Sequence, residues 1–260
     1  MSTETIALID GDIFAYEIAA GAEEPIHWGD GLWTLHAWED QGRLRVVDRV
    51  HEVADAINAD RIIVALTDDV NWRNSVLPSY KENRVGQRKP MILKPLKEQL
   101  KESFETFIRP GLEADDVLGI LSTWPKLAGR KVIVTKDKDL KTIPGLHFHT
   151  HRTELGVFEV TEHQANYHHL LQTLTGDITD GYKGCPGIGP AKADKILLPF
   201  AHETKHDQFF DVQGAWPKVV EAFAKAGLSE QEALVQARVA RICRASDYDF
   251  KTKKVKLWNP

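Results

Sequence analysis

The sequence has 260 residues, a formal net charge of −5 and only two cysteines, Cys185 and Cys243. A chain of this length can bury a sizeable core, and two cysteines exclude a disulfide framework or a zinc cluster. The N-terminus does not resemble a secretion signal, and no apolar run reaches membrane-spanning length. We therefore expect a soluble cytoplasmic protein with no membrane partner.

The predicted elements alternate between buried strands and helices. Short apolar runs predict strands at residues 6–9, 62–66, 131–135, 146–150 and 156–160. Helical periodicity or helix-like composition predicts helices at residues 13–20, 48–58, 93–107, 117–124 and 162–174. A loop with a short strand at 33–35 is expected between the first two helices. The alternation is typical of an α/β fold with a mainly parallel central sheet flanked by helices.

Acidic residues follow the first three strands. They are Asp10, Asp68, Asp137 and Asp139. Because the carboxyl ends of parallel strands form the ligand crevice of such sheets, we expect these side chains to lie together. Residues 111–116 (GLEADD) add Glu113, Asp115 and Asp116 at a predicted helix start. Alone, this run favours an acidic helix cap over a metal site, but the strand-end acids reverse that preference.

The net negative charge hides a basic segment. Residues 81–101 contain seven Lys or Arg and only two Glu. They lie in the 44-residue stretch between Asp68 and Glu113, which is long for a simple connection and predicts an insertion over the active face, at about 71–110. A phosphate-binding patch and a solvated lysine-rich helix explain the charge equally well.

The chain changes character at residue 176. Residues 185–192 (CPGIGPAK) predict a tight hairpin between helices, in which glycines expose successive N–H groups and Lys183, Lys192 and Lys195 lie nearby. This arrangement favours a phosphate over base edges, although Gly187 and Gly189 alone also fit an ordinary helix–helix turn. Helices are expected at 217–227 and 229–244, followed by a basic, extended tail.

Asp177 and Asp180 complete a set of nine acids. Nine like charges in one cleft repel each other unless divalent cations neutralise them, and oxygen-only ligands favour Mg²⁺, with Mn²⁺ as a substitute. Two such ions about 4 Å apart can activate water and stabilise the leaving oxygen of a phosphodiester. The nine acids are Asp10, Asp68, Glu113, Asp115, Asp116, Asp137, Asp139, Asp177 and Asp180.

These motifs together resemble the 5′-nuclease superfamily of flap endonucleases and 5′→3′ exonucleases, most closely the stand-alone exonucleases of tailed bacteriophages. The matching motifs span residues 5–197 and are IALIDGD, VALTDD, Tyr80-Lys81-x-Asn83-Arg84, GLEADDVLG, VIVTKDKDL and TGDITDGYKGCPGIGPAKA. The resemblance implies a PIN-like nuclease core at 1–175 and a helix–three-turn–helix region within 176–260. It also implies Mg²⁺-dependent cleavage of duplex DNA at 5′ ends, nicks or flaps, with RNA–DNA hybrids as secondary substrates.

The resemblance also implies roles for individual residues. The first metal would be held by Asp10, Asp68, Glu113 and Asp115, with Asp116 close by, and the second by Asp137, Asp139, Asp177 and Asp180. Lys81, Arg84 and Asp115 are the catalytic candidates. The expected DNA contacts are Tyr80, Lys81, Arg84, Arg88, Lys89, Lys183, Gly187, Gly189, Lys192 and Lys195, commonly with a K⁺ ion at the hairpin.

Two other functions fit parts of the pattern. A structure-specific DNA-binding protein could keep the fold without turnover, and a PIN-type ribonuclease would not need the hairpin. Tryptophans and alternating histidines also stand out in the sequence. Trp28, Trp33, Trp38 and Trp72 could stack on bases, but core packing or cover of a sheet edge is the favoured expectation. His147, His149 and His151 alternate and are expected to face solvent on a strand rather than bind a metal.

Overall fold

The computed structural model describes residues 4–203 and 208–260. Residues 1–3 and 204–207, which belong to the two predicted domains, lie outside the described residues. The strands are β1 (Thr5–Asp10), β2 (Glu24–Gly29), β3 (Leu32–His36), β4 (Arg61–Ala65), β5 (Glu105–Phe107), β6 (Arg130–Thr135), β7 (Gly145–His149), β8 (Val157–Val160), β9 (Ala201–Glu203), β10 (Gln208–Phe210), β11 (Tyr248–Asp249) and β12 (Lys254–Val255). The α-helices are α1 (Gly11–Gly21), α2 (Glu39–Ala56), α3 (Arg73–Val76), α4 (Leu93–Ser103), α5 (Ala114–Thr123), α6 (Glu162–Thr175), α7 (Pro190–Leu197), α8 (Val212–Lys225) and α9 (Glu230–Ala240).

A six-stranded sheet in the order β5-β4-β1-β6-β7-β8 forms the centre of the fold. All neighbours pair in parallel except β7 and β8, which pair antiparallel at one edge. The predicted α/β fold with a mainly parallel sheet is therefore confirmed. Because β4, β1 and β6 are adjacent, the ends of the three strands followed by acids lie side by side.

Apolar side chains on both faces of β1 account for its central position. All six of its residues are buried, so helices cover the sheet on both sides. Helices α1, α2 and α4 pack on one face through residues such as Phe14, Val50 and Leu96. Helix α5 packs on the other face together with Ile242 and Cys243.

The segment after α9 lies directly against α5. A Cβ atom on Gly119 would lie 2.4 Å from the carbonyl oxygen of Cys243, so only glycine permits this approach. The backbone N–H of Ala245 donates to Thr123 Oγ1 at 2.8 Å. The C-terminal residues thus brace the helix that carries the acidic run, while the proposed division at residue 176 stays a prediction.

Three local expectations were wrong. The helix predicted over 93–107 ends at Ser103, because Phe104 is extended and Glu105–Phe107 pairs with β4 as an edge strand. The short strand expected at 33–35 is confirmed as β3, but the residues before it form a second strand, β2, rather than a loop, and the two strands pair as a hairpin. His147 is buried rather than solvent-facing, with Nε2 2.9 Å from the carbonyl oxygen of Ile143.

The prediction that the tryptophans pack in the core or cover the sheet edge was also wrong for the first three. Trp28, Trp33 and Trp38 are 64%, 60% and 57% exposed. They lie on or beside the β2–β3 hairpin, which forms a two-stranded sheet apart from the central one. Trp72 is half-buried beside the acidic run.

No helix among the described residues has the length and apolar character needed to cross a membrane.

Candidate metal centre

A cleft of about 820 Å³ opens at the carboxyl ends of β4, β1 and β6. Eight of the nine predicted ligand carboxylates line it, and Asp116 does not. Asp12 and Asp69, which are not in the predicted ligand set, are further acids in its wall. The eight are Asp10, Asp68, Glu113, Asp115, Asp137, Asp139, Asp177 and Asp180.

The strand-end acids Asp10 and Asp68 are held by hydrogen bonds from neighbouring segments of the fold. Asp10 ends β1 and caps α1, where Oδ1 accepts from the Ile13 N–H at 3.1 Å. Its other oxygen, Oδ2, accepts from Thr135 Oγ1 at 3.0 Å, which ties β1 to β6. Asp68 accepts from the Gly111 N–H at 2.8 Å, and this hydrogen bond lowers its pKa. The strand ends thus fix two carboxylates at the floor of the cleft.

Three cleft carboxylates have raised pKa values. Burial, reinforced by Asp12, raises the pKa of Asp10 to about 7. Burial and then Asp137 raise the pKa of Asp139 to about 7. Burial and then the charge of Asp10 raise the pKa of Asp115 well above its usual range. Negative charge in this part of the cleft is therefore not neutralised by the protein, and bound cations would favour the ionised forms.

This imbalance predicts an unusual pH effect on the metal-free protein. The folded-state pKa of Asp139 is about 7 against an ordinary value of 3.8, so the folded state holds an extra proton between these pH values. The contribution of this group to stability is full below about pH 4 and is lost as pH rises through about 7. In EDTA, Asp139→Asn should therefore melt several degrees above wild type at pH 8.

The control for this effect is the same pair of proteins at low pH. At about pH 4 the folded-state side chain is protonated and the unfolded-state side chain, close to its ordinary pKa of 3.8, is about half protonated. Most of the stability contribution is then retained, so the two melting temperatures should lie close together. Calorimetric melting of both proteins across this range provides the measurement. A stability difference that stays constant between pH 4 and pH 8 would contradict the predicted ionisation of Asp139.

Asp116 has a structural role that the sequence analysis missed. Its buried carboxylate accepts from Arg73 Nη1 at 2.7 Å and Nη2 at 2.8 Å, from Trp72 Nε1 at 2.9 Å and from the Cys243 N–H at 3.0 Å. It also accepts from the Glu113 N–H at 3.3 Å, as expected of an acidic helix cap. Both oxygens are occupied, so Asp116 is separated from the eight acids in the cleft.

Arg73 is the centre of a buried charge network. It is 2% exposed, and besides Asp116 its guanidinium donates to Glu113 at 3.0 Å and to the carbonyl oxygens of Val239 at 2.9 Å and Arg241 at 2.7 Å. Burial alone would raise the pKa of Glu113, but Arg73 and Lys81 bring it below its usual value. Nothing in the sequence near Arg73 marks this role, since its partners are distant along the chain.

The base of the basic segment contacts the loop that carries Asp180. Lys81 Nζ pairs with Glu113 and lies 3.5 Å from Asp180, and Arg84 Nη2 donates to Asp180 at 2.5 Å. The Lys81 backbone is left-handed, with φ 57°, and its N–H donates to the Asp180 carbonyl oxygen at 2.9 Å. Two of the three catalytic candidates, Lys81 and Arg84, are therefore held against candidate ligands.

Tyr80 lines the cleft but is almost fully buried. Its hydroxyl lies 2.8 Å from Asp180 Oδ2 and 3.1 Å from Glu113 Oε2, and its single proton can serve one of them at a time. Arg88 and Lys89 also line the cleft, as do Lys97 and Lys138, which the sequence analysis did not single out. Lys97 Nζ lies 2.7 Å from Asp12.

The carboxylates do not form a ready metal site in this arrangement. Across residues 4–203 and 208–260, no three His, Cys, Asp or Glu side chains are arranged to hold an ion. Lys81 and Arg84 pair with Glu113 and Asp180 instead. The donor set nevertheless fits a hard divalent cation, because it is made of carboxylate oxygens with several uncompensated charges.

The predicted hairpin contacts lie outside the cleft. Gly176 and Gly184 pack against each other so closely that a Cβ on either would lie 2.3 Å from backbone atoms. Beyond them, Lys192 Nζ donates to the Gly187 carbonyl oxygen at 2.8 Å, and Gly189 precedes α7. Lys183 and Lys195 are exposed. The structure thus separates the predicted DNA contacts into a cleft group and a hairpin group.

Comparisons with known proteins agree with this architecture. A family model described as the N-terminal resolvase-like domain of 5′-3′ exonucleases matches residues 5–167. The exonuclease of Escherichia phage T7 is 32% identical over 98% of this chain and 93% of its own length. This chain belongs to the 5′-3′ exonuclease family. The predicted resemblance to the 5′-nuclease superfamily is thereby confirmed.

One further relative and one solved structure extend the comparison. Flap endonuclease Xni of Vibrio campbellii is 29% identical over 76% of this chain and 80% of its own length. A bacteriophage T5 flap endonuclease, solved as a pseudo-enzyme–product complex with DNA and metal ions, aligns over 91% of this chain and 89% of its own. Its TM-score is 0.64 at 18% identity, which indicates a shared fold.

Proposed function

We propose that this protein is a divalent-metal-dependent 5′→3′ exonuclease and structure-specific 5′ flap endonuclease that hydrolyses DNA phosphodiesters. The observation that carries the proposal is the convergence of eight carboxylates in one cleft, beside Lys81 and Arg84. Membership of the 5′-3′ exonuclease family supports the same reaction.

Two Mg²⁺ ions, or Mn²⁺ in their place, suit the oxygen donors of the cleft. In this proposal Asp10, Asp68, Glu113 and Asp115 would hold one ion. Asp137, Asp139, Asp177 and Asp180 would hold the other. We leave Asp116 out of the ligand set because its oxygens already accept from Arg73, Trp72 and backbone N–H groups. When bound, such ions lower the pKa of water and stabilise the leaving oxygen of a phosphodiester.

Lys81 and Arg84 supply the positive charge for the substrate. Their pairing with Glu113 and Asp180 keeps two cations at the cleft wall before any phosphate arrives. If bound metal ions neutralised Glu113 and Asp180, Lys81 and Arg84 would be free to stabilise the reacting phosphate. The Tyr80 hydroxyl lies between the two carboxylates and helps to orient whichever one accepts its proton. The roles of these three residues are thus positioning and charge stabilisation.

We propose duplex DNA with 5′ ends, nicks or flaps as the substrate, with RNA of RNA–DNA hybrids as a secondary one. Arg88 and Lys89 extend the cations along the cleft. The hairpin around Gly187 and Gly189 would bind duplex backbone without reading sequence, with Lys183, Lys192 and Lys195 nearby and a K⁺ ion bridging carbonyl oxygens and phosphate.

A digestion of end-labelled duplexes tests this function. With Mg²⁺, a duplex labelled at the 5′ end should release the label at once as short products, while a 3′ label should stay on a shortening strand. A substrate with a 5′ flap tests the endonuclease activity in the same experiment. Release of the 3′ label first would reverse the polarity, and binding with no cleavage in Mg²⁺ or Mn²⁺ would favour a DNA-binding protein.

A further inference from the structure

The β2–β3 hairpin presents two different faces. Cross-strand pairing places His27 opposite Trp33 and Pro25 opposite Leu35, so these four side chains share one face. We call Pro25, His27, Trp33 and Leu35 the aromatic face. Trp28 belongs to the opposite face, where its Nε1 donates to Thr34 Oγ1 at 2.8 Å. The hairpin therefore carries one highly exposed tryptophan on each side.

The aromatic face has no Lys, Arg, Asp or Glu side chain, and all four of its residues are exposed to solvent. The His27 and Trp33 rings stack with centroids 4.4 Å apart and an interplanar angle of 26°. Trp33 remains 60% exposed and Leu35 42% exposed, and both strands of the hairpin are outside the central sheet. Contiguous exposed apolar surface of this kind is a mark of an interaction site rather than of a folding core.

The base of the hairpin is tied to the cations of the cleft. Glu23, directly before β2, accepts from both terminal nitrogens of Arg88 at 2.6 Å and from the Met91 N–H at 2.8 Å. Arg88 and Lys89 line the cleft, and the Arg88 side chain keeps 58% of its surface exposed. The Glu23–Arg88 pair thus joins the start of β2 to a segment that lines the cleft.

We propose that the aromatic face is a stacking platform for unpaired bases of a DNA strand that extends beyond the cleft. This inference rests on the proposed function, because it assigns part of the same substrate. Stacking requires flat π surfaces and tolerates every base, and adjacent cations hold the phosphates. Both components are present here: Trp33 and His27 offer aromatic surfaces for the bases, and exposed Lys89 lies next to Arg88, which pairs with Glu23 at the base of the hairpin. The occupant is therefore single-stranded DNA.

The test compares two tryptophans on one hairpin. Binding of the full-length protein to a duplex with an unpaired 5′ tail and to the same duplex with a flush end is measured by fluorescence anisotropy, with Ca²⁺ replacing Mg²⁺. Trp33→Ala should weaken binding of the tailed duplex about 5- to 100-fold and leave the flush duplex unchanged. Trp33→Phe should restore most of the loss. Trp28→Ala, matched in residue type and exposure, should leave both affinities unchanged.

The other outcomes overturn the platform. Equal losses for Trp28→Ala and Trp33→Ala, or no loss for Trp33→Ala, would remove the assignment. A concentration-dependent oligomer that Trp33→Ala dissociates in sedimentation would make a second copy of the chain the occupant instead. The proposed function is tested separately. If wild type binds the tail through Trp33 but cleaves nothing in Mg²⁺ or Mn²⁺, the platform stands and the nuclease function is wrong. If wild type cleaves but Trp33→Ala binds the tail normally, the nuclease function stands and the platform is wrong.

Discussion

Asp115→Asn is expected to reduce Mg²⁺-dependent cleavage by at least about 10³-fold, because losing a ligand that stabilises transition-state charge costs several kcal/mol. The change is nearly isosteric and removes one negative charge from a crowded cleft. Affinity for duplex DNA should stay the same or rise slightly, since the cleft becomes less repulsive to phosphates. Single-turnover cleavage and duplex binding, measured on the same substrate, separate the two effects.

The matched control is Asp55→Asn, which removes the same charge from an exposed carboxylate on α2 that does not line the cleft. It should cleave within about threefold of wild type, well below the cost of losing a specific contact. Asp115→Asn cleaving within tenfold of wild type would defeat the two-metal assignment. A parallel loss of duplex binding would instead indicate that Asp115 organises the cleft.

The acids of the site fall into two electrostatic classes. Glu113, Asp116 and Asp180 pair with Arg73, Lys81 or Arg84, so the protein itself supplies their counter-charge. Asp10 and Asp139 instead have pKa values raised to about 7 by burial and by neighbouring acids. The second class identifies where added cations would relieve the most repulsion. It includes the floor of the cleft at the end of β1.

The sequence predicted the sheet and the floor of the cleft well because both depend on local signals. A run of apolar residues marks a strand buried on both faces, and an acid directly after it must lie at the edge where parallel strands end. Asp10, Asp68 and Asp137 follow from that rule alone. The same local reading failed for Asp116, since three neighbouring acids look alike until the fold assigns each a different partner.

Features that depend on distant contacts could not be predicted in this way. Arg73 binds residues that are 40 to 168 positions away in sequence, and no spacing rule links them. The exposed tryptophans were misread because aromatic residues are usually buried, and only the pairing of β2 with β3 shows which face each ring occupies. The edge strand Glu105–Phe107 was not predicted, because the helical periodicity continues through it although the helix ends at Ser103.

Arg73→Met is expected to lower the free energy of unfolding by about 3–5 kcal/mol, because it leaves buried Asp116 without its counter-charge. The variant also removes donors to the Val239 and Arg241 carbonyl oxygens, which hold the segment after α9 against α5. Urea unfolding followed by tryptophan fluorescence and by far-UV circular dichroism measures the loss. Cleavage should fall as well, since Glu113 loses the partner that fixes one of its oxygens.

Arg61 supplies the matched control, because it makes a similar bidentate pair with Glu105 at the surface, at 2.7 and 2.8 Å. Solvent screens that pair, so Arg61→Met should lower the free energy of unfolding by at most about 1 kcal/mol.

In a double-mutant cycle, Asp116→Asn should cost much less in the Arg73→Met background than in wild type, with a coupling of about 1–3 kcal/mol. Additive losses would mean that Arg73 stabilises the fold through its carbonyl contacts alone. Strong coupling would establish the ion pair as the link between the C-terminal segment and the helix that presents Glu113 and Asp115 to the cleft.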